Sequence, residues 1–123
     1  METFADRVVD AVGSPRVKLL YDVYHMQIME GDVIRTLTAN ADRLGHYHVA
    51  GNPGRNEPDA SQELNYPPIY RAIAATGFDG WIGMEFVPTG DPAGALRAAV
   101  ADVQRSLGDD ARSRGPSRPG RPG

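Results

Sequence analysis

The chain has 123 residues, 41% of them hydrophobic and 24% charged, which suits one compact globular domain with a modest core. No stretch approaches the roughly 18 consecutive apolar residues of a membrane-spanning helix, so we expect no membrane segment and a cytoplasmic location. The net charge of −3 comes from an acidic body and a basic C-terminal end, and an acidic body lacks the basic patch of a nucleic-acid-binding protein.

The first half of the chain alternates between helical and extended patterns. Residues 4–12 predict a helix that Gly13-Ser14-Pro15 ends. Residues 17–24, rich in β-branched and aromatic side chains, predict a strand buried on both faces. From residue 28 to about residue 44 apolar side chains recur every three or four positions, which predicts one helix that Gly45 ends.

The second half repeats this alternation. Residues 46–50 predict a strand, residues 51–62 a long loop, and residues 65–77 a helix with prolines in its first turn. Residues 78–86 predict the last strand, and Asp91-Pro92 predicts the start of the closing helix. Strands that alternate with helices in this way predict an α/β fold with a parallel sheet and right-handed crossovers.

The C-terminal end differs in composition from the rest. Residues 108–123 are rich in Arg, Pro and Gly, and such a segment is typical of a solvated, disordered tail. We therefore expect one domain over residues 1–107 and a disordered tail over residues 108–123.

Three residues that can bind metals fall at or next to the predicted ends of strands: Asp22, His48 and Glu85. In parallel α/β folds functional groups lie at the C-terminal ends of strands, so these side chains are expected to meet. Because the chain has no cysteine, carboxylate and imidazole ligands would have to hold the ion, which suits Mn²⁺, Mg²⁺, Co²⁺ or Zn²⁺. The alternative is that Asp22 only caps the next helix and that Glu85 only pairs with an arginine.

Other side chains near these strand ends have weaker assignments. His46 and His48 share a face of a strand, and we expect His48 to be the ligand and His46 to pack beside it. His25 lies one turn beyond Asp22, where it either contacts a substrate or bonds to backbone. Arg55 lies in the loop after the second strand, and its guanidinium can hold a carboxylate or hydroxyl. Tyr24 is expected only to pack.

Four segments together resemble a known family: residues 20–31, 45–58, 63–66 and 80–85. They are similar to the C-terminal half of hydroxypyruvate isomerases, a family of xylose isomerase-like TIM barrels. The resemblance covers roughly residues 5–105. It implies a partial (β/α)8 barrel whose three parallel strands, with their flanking helices, correspond to strands 6 to 8.

The resemblance also implies roles for the residues named above. Asp22, His48 and Glu85 take the places of family ligands to one divalent metal, Glu85 is also a catalytic acid or base, and His25 and Arg55 contact the substrate. The implied reaction interconverts hydroxypyruvate and tartronate semialdehyde through an enediol, with the metal polarising the carbonyl. Many hydroxypyruvate isomerases have Gln where His48 stands, whereas related epimerases have His, so a sugar 3-epimerase or an inosose dehydratase is the enzymatic alternative.

The family barrel needs about 250 residues and a second glutamate from an earlier strand, and this chain supplies neither. Either the chain is a fragment or its start lies further upstream. We expect it to be inactive and marginally stable alone, and to form a homo-oligomer or dock to a complementing N-terminal half, because two sheet edges and an apolar inner face would be exposed. The alternatives are a non-catalytic docking fragment and, through the shared barrel, an apurinic-site nuclease.

Overall fold

The computed structural model describes residues 3–113, and the side chains of Phe4 and of residues 109–113 are left out of the description. The described elements, in chain order, are α1 (Phe4–Val12), β1 (Leu19–Asp22), α2 (Val23–Met29), α3 (Val33–Ala39), a 3-10 turn (Ala41–Arg43), β2 (Leu44–Val49), α4 (Tyr66–Ala75), β3 (Ile82–Met84) and α5 (Pro92–Ser113). Within these residues no helix is both long and apolar enough to cross a bilayer.

The three described strands form one parallel sheet in the order β1-β2-β3. Each strand is followed by helix before the next begins, as the alternating pattern predicts. The register pairs Asp22 with His48 and His48 with Gly83, so the C-terminal ends of all three strands lie side by side. The predicted α/β architecture with three parallel strands is confirmed.

One face of the sheet, which we call the packed face, holds the hydrophobic core. Its strand residues include Tyr21, Tyr47 and Val49, each at most 5% exposed. They join side chains from the helices in one buried cluster, among them Leu37 of α3 and Ile73 of α4. Burial of this apolar surface against α3 and α4 is the main source of stability.

The other face, which we call the open face, carries the alternate residues of the same strands. Leu20 and Asp22 of β1 pair with His46 and His48 of β2, and His48 pairs with Gly83 of β3. Leu20 is 53% exposed, since no described helix covers this side. Alternation along each strand therefore separates the core from the polar side chains.

The prediction of one helix over residues 28–44 is wrong. α2 and α3 are separate helices. β1 ends at Asp22, so the last two residues of the predicted strand, Val23 and Tyr24, are already helical. The two helices are separated because Gly31 and Asp32 both have positive φ, 67° and 49°, a conformation that interrupts a right-handed helix. Gly45 lies inside β2 instead of ending a helix.

The last helix is longer than expected. α5 begins at Pro92, after Asp91, as predicted, but it continues to Ser113, beyond the predicted boundary at residue 107. The expected disordered tail over residues 108–123 therefore begins with helical residues. Its remainder, residues 114–123, lies outside the described residues.

Candidate metal and substrate site

The C-terminal ends of the three strands bring Asp22, His48 and Glu85 together. One ligand atom from each lies within 4.8 Å of the others. Asp22 ends β1, His48 lies in β2, and Glu85 follows β3 directly, with its amide donating to the carbonyl of Val49 at 2.9 Å. Parallel pairing therefore converts three distant positions in the sequence into one cluster of two carboxylates and one imidazole.

Asp22 has two structural roles at once. As the N-cap of α2, its Oδ1 accepts a hydrogen bond from the amide of His25 at 2.9 Å, which satisfies one free donor of the first helical turn. Oδ2 lies 3.9 Å from Nε2 of His25. Asp22 thus caps the helix, as the alternative interpretation of the sequence predicted. Its Oδ2 atom does not take part in this cap and can contact another partner.

The ring of His48 is held between its neighbours on the open face. The His46 ring meets it edge to face, with centroids 4.9 Å apart. A Cβ atom at Gly83 would lie 2.9 Å from Cδ2 of His48, closer than such contacts occur, so only glycine leaves room for this ring position. Nδ1 of His48 lies 3.1 Å from Oε2 of Glu85. His46 therefore packs beside His48, as expected.

Glu85 lies between two cationic or potentially cationic groups. Its Oε2 is 3.2 Å from Nη2 of Arg55 as well as 3.1 Å from His48. Desolvation raises the pKa of Glu85, but the hydrogen bond and charge of Arg55, aided by His48, outweigh it and hold that pKa below its ordinary value. Glu85 is therefore ionised at neutral pH, which suits both a ligand and a proton acceptor.

Arg55 reaches Glu85 from the loop after β2. Its guanidinium carbon lies 5.6 Å from the centre of the Tyr24 ring, an arrangement that favours a cation–π contact. Tyr24 therefore supports Arg55 and does more than pack, a role that sequence reasoning missed. The signal in the sequence is its place two residues after Asp22, in the first turn of a helix that starts at the site.

The base of this loop is fixed by a second tyrosine that sequence reasoning did not single out. The hydroxyl of Tyr66, the first residue of α4, donates to the carbonyl of Ala50 at 3.2 Å and accepts from the amide of Asn52 at 2.9 Å. Tyr66 is 1% exposed, so both backbone groups are satisfied in a buried setting. No periodic pattern would reveal this role, because it depends on a contact across the β2–α4 loop.

The donor set fits a divalent cation. Three ligand atoms held about 2.1 Å from one ion lie on average no more than about 3.6 Å apart, so these atoms would have to converge by about 1 Å from their 4.8 Å limit. Two carboxylates and an imidazole suit Mn²⁺, Co²⁺ or Zn²⁺, and carboxylates alone suit Mg²⁺. His25 and Arg55 flank this set on either side, through Asp22 and Glu85 respectively.

The clustered side chains are partly exposed: 16% for Asp22, 28% for His48 and 49% for Glu85. A depression of about 790 Å³ lies elsewhere, between the β2–α4 loop and α5, and Glu63, Tyr66 and Asp102 are among the residues that line it. None of the three clustered residues borders it. Chemistry at the cluster would therefore need other groups to exclude water from the open face.

Comparison with known proteins agrees with this geometry. A sequence model of the xylose isomerase-like TIM barrel family matches residues 3–107. Hydroxypyruvate isomerase of Escherichia coli (strain K12) is 40% identical over 91 residues, which is 74% of this chain and 35% of that protein. The 2-oxo-tetronate isomerase of Cupriavidus necator is 46% identical over 77 residues, or 63% of this chain and 29% of that protein.

Solved structures show the same fold. A family 2 AP endonuclease from Brucella melitensis superimposes with a TM-score of 0.71 and 35% identity, covering 77% of this chain and 36% of that one. The 3-keto-D-glucoside 4-epimerase of E. coli superimposes with a TM-score of 0.72 and 30% identity, covering 82% of this chain and 38% of that one. The chain thus spans about a third of the length of these relatives. It belongs to the xylose isomerase-like TIM barrel family, and within that family it resembles the hydroxypyruvate isomerases.

Proposed function

We propose that this chain supplies the strand 6 to 8 portion of a metal-dependent isomerase acting on a small hydroxy-carbonyl acid, with hydroxypyruvate as the substrate. The observation that carries the proposal is the convergence of Asp22, His48 and Glu85 at three adjacent strand ends. The similarity to hydroxypyruvate isomerase of E. coli supports the choice of substrate.

The residues of the chain divide the chemistry as follows. Arg55, already beside a carboxylate, binds the carboxylate of the substrate in a forked contact. Glu85, ionised through its contacts with Arg55 and His48, removes or returns the proton at one of the two carbons that exchange the carbonyl. His25 hydrogen-bonds a substrate oxygen beside Asp22. A divalent ion held by Asp22, His48 and Glu85 would polarise the substrate carbonyl.

The proton balance of this reaction is simple. Loss of a proton from C3 of hydroxypyruvate, with a proton added to the C2 oxygen, gives an enediol. Return of a proton to C2, with loss of the proton on the C3 oxygen, then gives tartronate semialdehyde, with no oxidant or reductant. A second carboxylate is needed to assist on the other carbon. Because the chain spans about a third of its relatives, we propose that this group comes from outside the present residues.

The metal site can be tested first, without turnover. We expect the chain to bind Mn²⁺, and binding is measured as the loss of the free-ion signal in electron paramagnetic resonance. Asp22→Asn, His48→Ala and Glu85→Gln should each weaken binding about tenfold or more, as loss of one ligand does. Asp42→Asn, an exposed carboxylate outside the cluster, is the matched control. Unchanged affinity in all three variants would remove the metal from the proposal.

The reaction itself is tested with the chain combined with a complementing half barrel from a family relative. We expect deuterium from D₂O to enter C3 of hydroxypyruvate, measured by NMR, and Glu85→Gln to abolish exchange. Exchange that proceeds equally well with Glu85→Gln would contradict the assigned proton transfer. The chain alone is expected to show little exchange.

A sugar epimerase of the same family is the second candidate. One observation favours it: the solved structure of a 3-keto-D-glucoside 4-epimerase is similar over 82% of this chain. The family resemblance adds that related epimerases have His at the position of His48. Comparison of hydroxypyruvate with keto-sugars as substrates of the completed barrel distinguishes the two. His48→Gln should favour hydroxypyruvate if this position controls the preference.

The open face supports a partner that completes the barrel. Leu20 is 53% exposed on it, and Trp81, just before β3, is 81% exposed. β1 and β3 are the two edges of the described sheet. Apolar surface and free strand edges of this kind promote association. We propose that strands resembling the first five of the barrel, from a separate polypeptide or from upstream sequence, cover this face. A second copy of the chain is the alternative, because it could cover the face without supplying those strands.

A further inference from the structure

Two loops that follow neighbouring strands are joined by hydrogen bonds between residues 55–57 and residues 87–89. The amide of Val87 donates to the carbonyl of Arg55 at 2.8 Å, and the Asn56 side chain donates to the carbonyl of Val87 at 3.0 Å. The amide of Thr89 donates to Oε1 of Glu57 at 2.6 Å, with a further bond from its hydroxyl at 3.1 Å. We call this set of contacts the loop clasp.

The loop clasp acts directly on Arg55. This residue has φ of 60°, in the left-handed region that non-glycine residues seldom adopt, so surrounding contacts must hold it there. Its carbonyl is bonded to Val87, two residues beyond Glu85, while its side chain reaches Glu85 itself. The same two loops are thus joined once through the backbone and once through the candidate site.

Glu57 provides the only carboxylate among the contacts of the loop clasp described above. Its hydrogen bonds to Thr89 are charge-assisted, and such bonds are about twice as strong as neutral ones. No described contact joins Glu57 to Asp22, His48 or Glu85, the three residues of the candidate metal site. Any effect of Glu57 on the site therefore passes through the two loops that it joins.

We propose that Glu57 is a positioning residue, which fastens the β2–α4 loop to the loop after β3 and thereby orients the Arg55 guanidinium toward Glu85 and the substrate carboxylate. The substrate part of this inference rests on the proposed function. The orientation of Arg55 is independent of it and can be measured in the chain as it is.

The test follows Arg55 and Val87 by NMR in Glu57→Ala. We expect the Val87 amide to exchange about tenfold faster, the change that loss of one charge-assisted hydrogen bond produces. We also expect the ¹⁵N heteronuclear NOE of the Arg55 Nε–H group to fall as the side chain becomes mobile. Glu57→Gln keeps an acceptor oxygen for the Thr89 amide and should restore most of both values. The urea midpoint should change little, because Glu57 is a surface residue.

Glu63→Ala is the matched control, since Glu63 is an exposed glutamate in the same loop whose described contact is through its backbone amide. Arg55 order and Val87 exchange that stay at wild-type values in Glu57→Ala, or change equally in Glu63→Ala, would overturn the proposal. If Glu57→Ala does not fold, Glu57→Asp applies the same test, because its shorter side chain withdraws the acceptor. Absent Mn²⁺ binding with normal Arg55 ordering would count against the proposed function and leave the clasp intact.

Discussion

The two faces of the sheet differ in burial. On the packed face Tyr21, Tyr47 and Val49 are buried against helices, whereas on the open face Asp22 and His48, their neighbours in the same strands, remain partly accessible. Because side chains alternate along a strand, a substitution one residue away changes which face is affected. Within two strands, the comparison therefore separates the side chains that stabilise the fold from those of the candidate site.

The largest expected effect lies on the packed face. Tyr47 is 1% exposed, and its ring packs against those of Tyr21 and Phe78. Tyr47→Ala should lower the free energy of unfolding by about 3–5 kcal/mol, as removal of a buried aromatic ring does. Leu20→Ala on the open face should cost less than about 1 kcal/mol. Urea denaturation measures both, and equal losses would show that the open face is covered in solution.

A smaller effect is expected where the packed side supports the site. Tyr66→Phe removes the hydroxyl that bridges Ala50 and Asn52, and should cost about 1–3 kcal/mol because both backbone groups stay buried. Tyr70→Phe is the matched control, since the Tyr70 hydroxyl is buried without a hydrogen-bond partner among the described residues. It should leave the free energy of unfolding unchanged or raise it. Equal destabilisation by both changes would contradict the bridging role.

On the open face a substitution should affect binding and spare the fold. Gly83→Ala places a methyl group against the His48 ring, which must turn away from Glu85. We expect Mn²⁺ affinity to fall about tenfold, a change of roughly 1.4 kcal/mol in binding free energy. Gly108→Ala in α5, where an added Cβ meets nothing within 4 Å, should instead stabilise the chain by about 0.5–1 kcal/mol and leave Mn²⁺ binding unchanged.

The smallest effect concerns the pH dependence of the loop clasp. Hydrogen bonds from the amide of Thr89, from the amide of Glu57 itself and from the Thr89 hydroxyl lower the pKa of Glu57 below its ordinary value of 4.5, and they outweigh the opposing effects of desolvation and of Asp59. A carboxylate whose pKa is lowered on folding stabilises the folded state above its unfolded pKa, and this contribution is lost as the pH falls through the folded pKa. The amide shift of Thr89 should therefore titrate with a midpoint below 4.5. In Glu57→Gln this titration should disappear.

Sequence reasoning identified the strand ends because their signal is local and one-dimensional. Asp22 and Glu85 each follow a short apolar run, and His48 lies near the end of the short strand between them. Once the α/β pattern is recognised, parallel pairing of the strands predicts that the three side chains meet. The family resemblance supplied their assigned roles, which remain predictions. The confirmed part is thus the fold class, the family and the juxtaposition of the three side chains.

What sequence reasoning missed depends on backbone conformation and on contacts between loops. The break between α2 and α3 arises from positive φ at Gly31 and Asp32. The spacing of apolar residues does not reveal this break, because it continues across both positions. Tyr24 contacts Arg55, and Tyr66 holds the loop that carries Arg55. Neither pair of residues is related by a periodic pattern in the sequence. Such contacts are decided by the folded geometry, so a single sequence carries little trace of them.

The double use of Asp22 links two equilibria. Its Oδ1 terminates α2 through the His25 amide, so a cation that engages this carboxylate shares a group with the first turn of the helix. The two equilibria are then coupled by one free energy. A change that destabilises the first turn of α2 weakens cation binding by that amount, and a bound cation stabilises the turn by the same amount. Since α2 also carries Tyr24, whose ring lies against Arg55, a cation that orders this short helix would also order Arg55, the residue proposed to bind the substrate carboxylate.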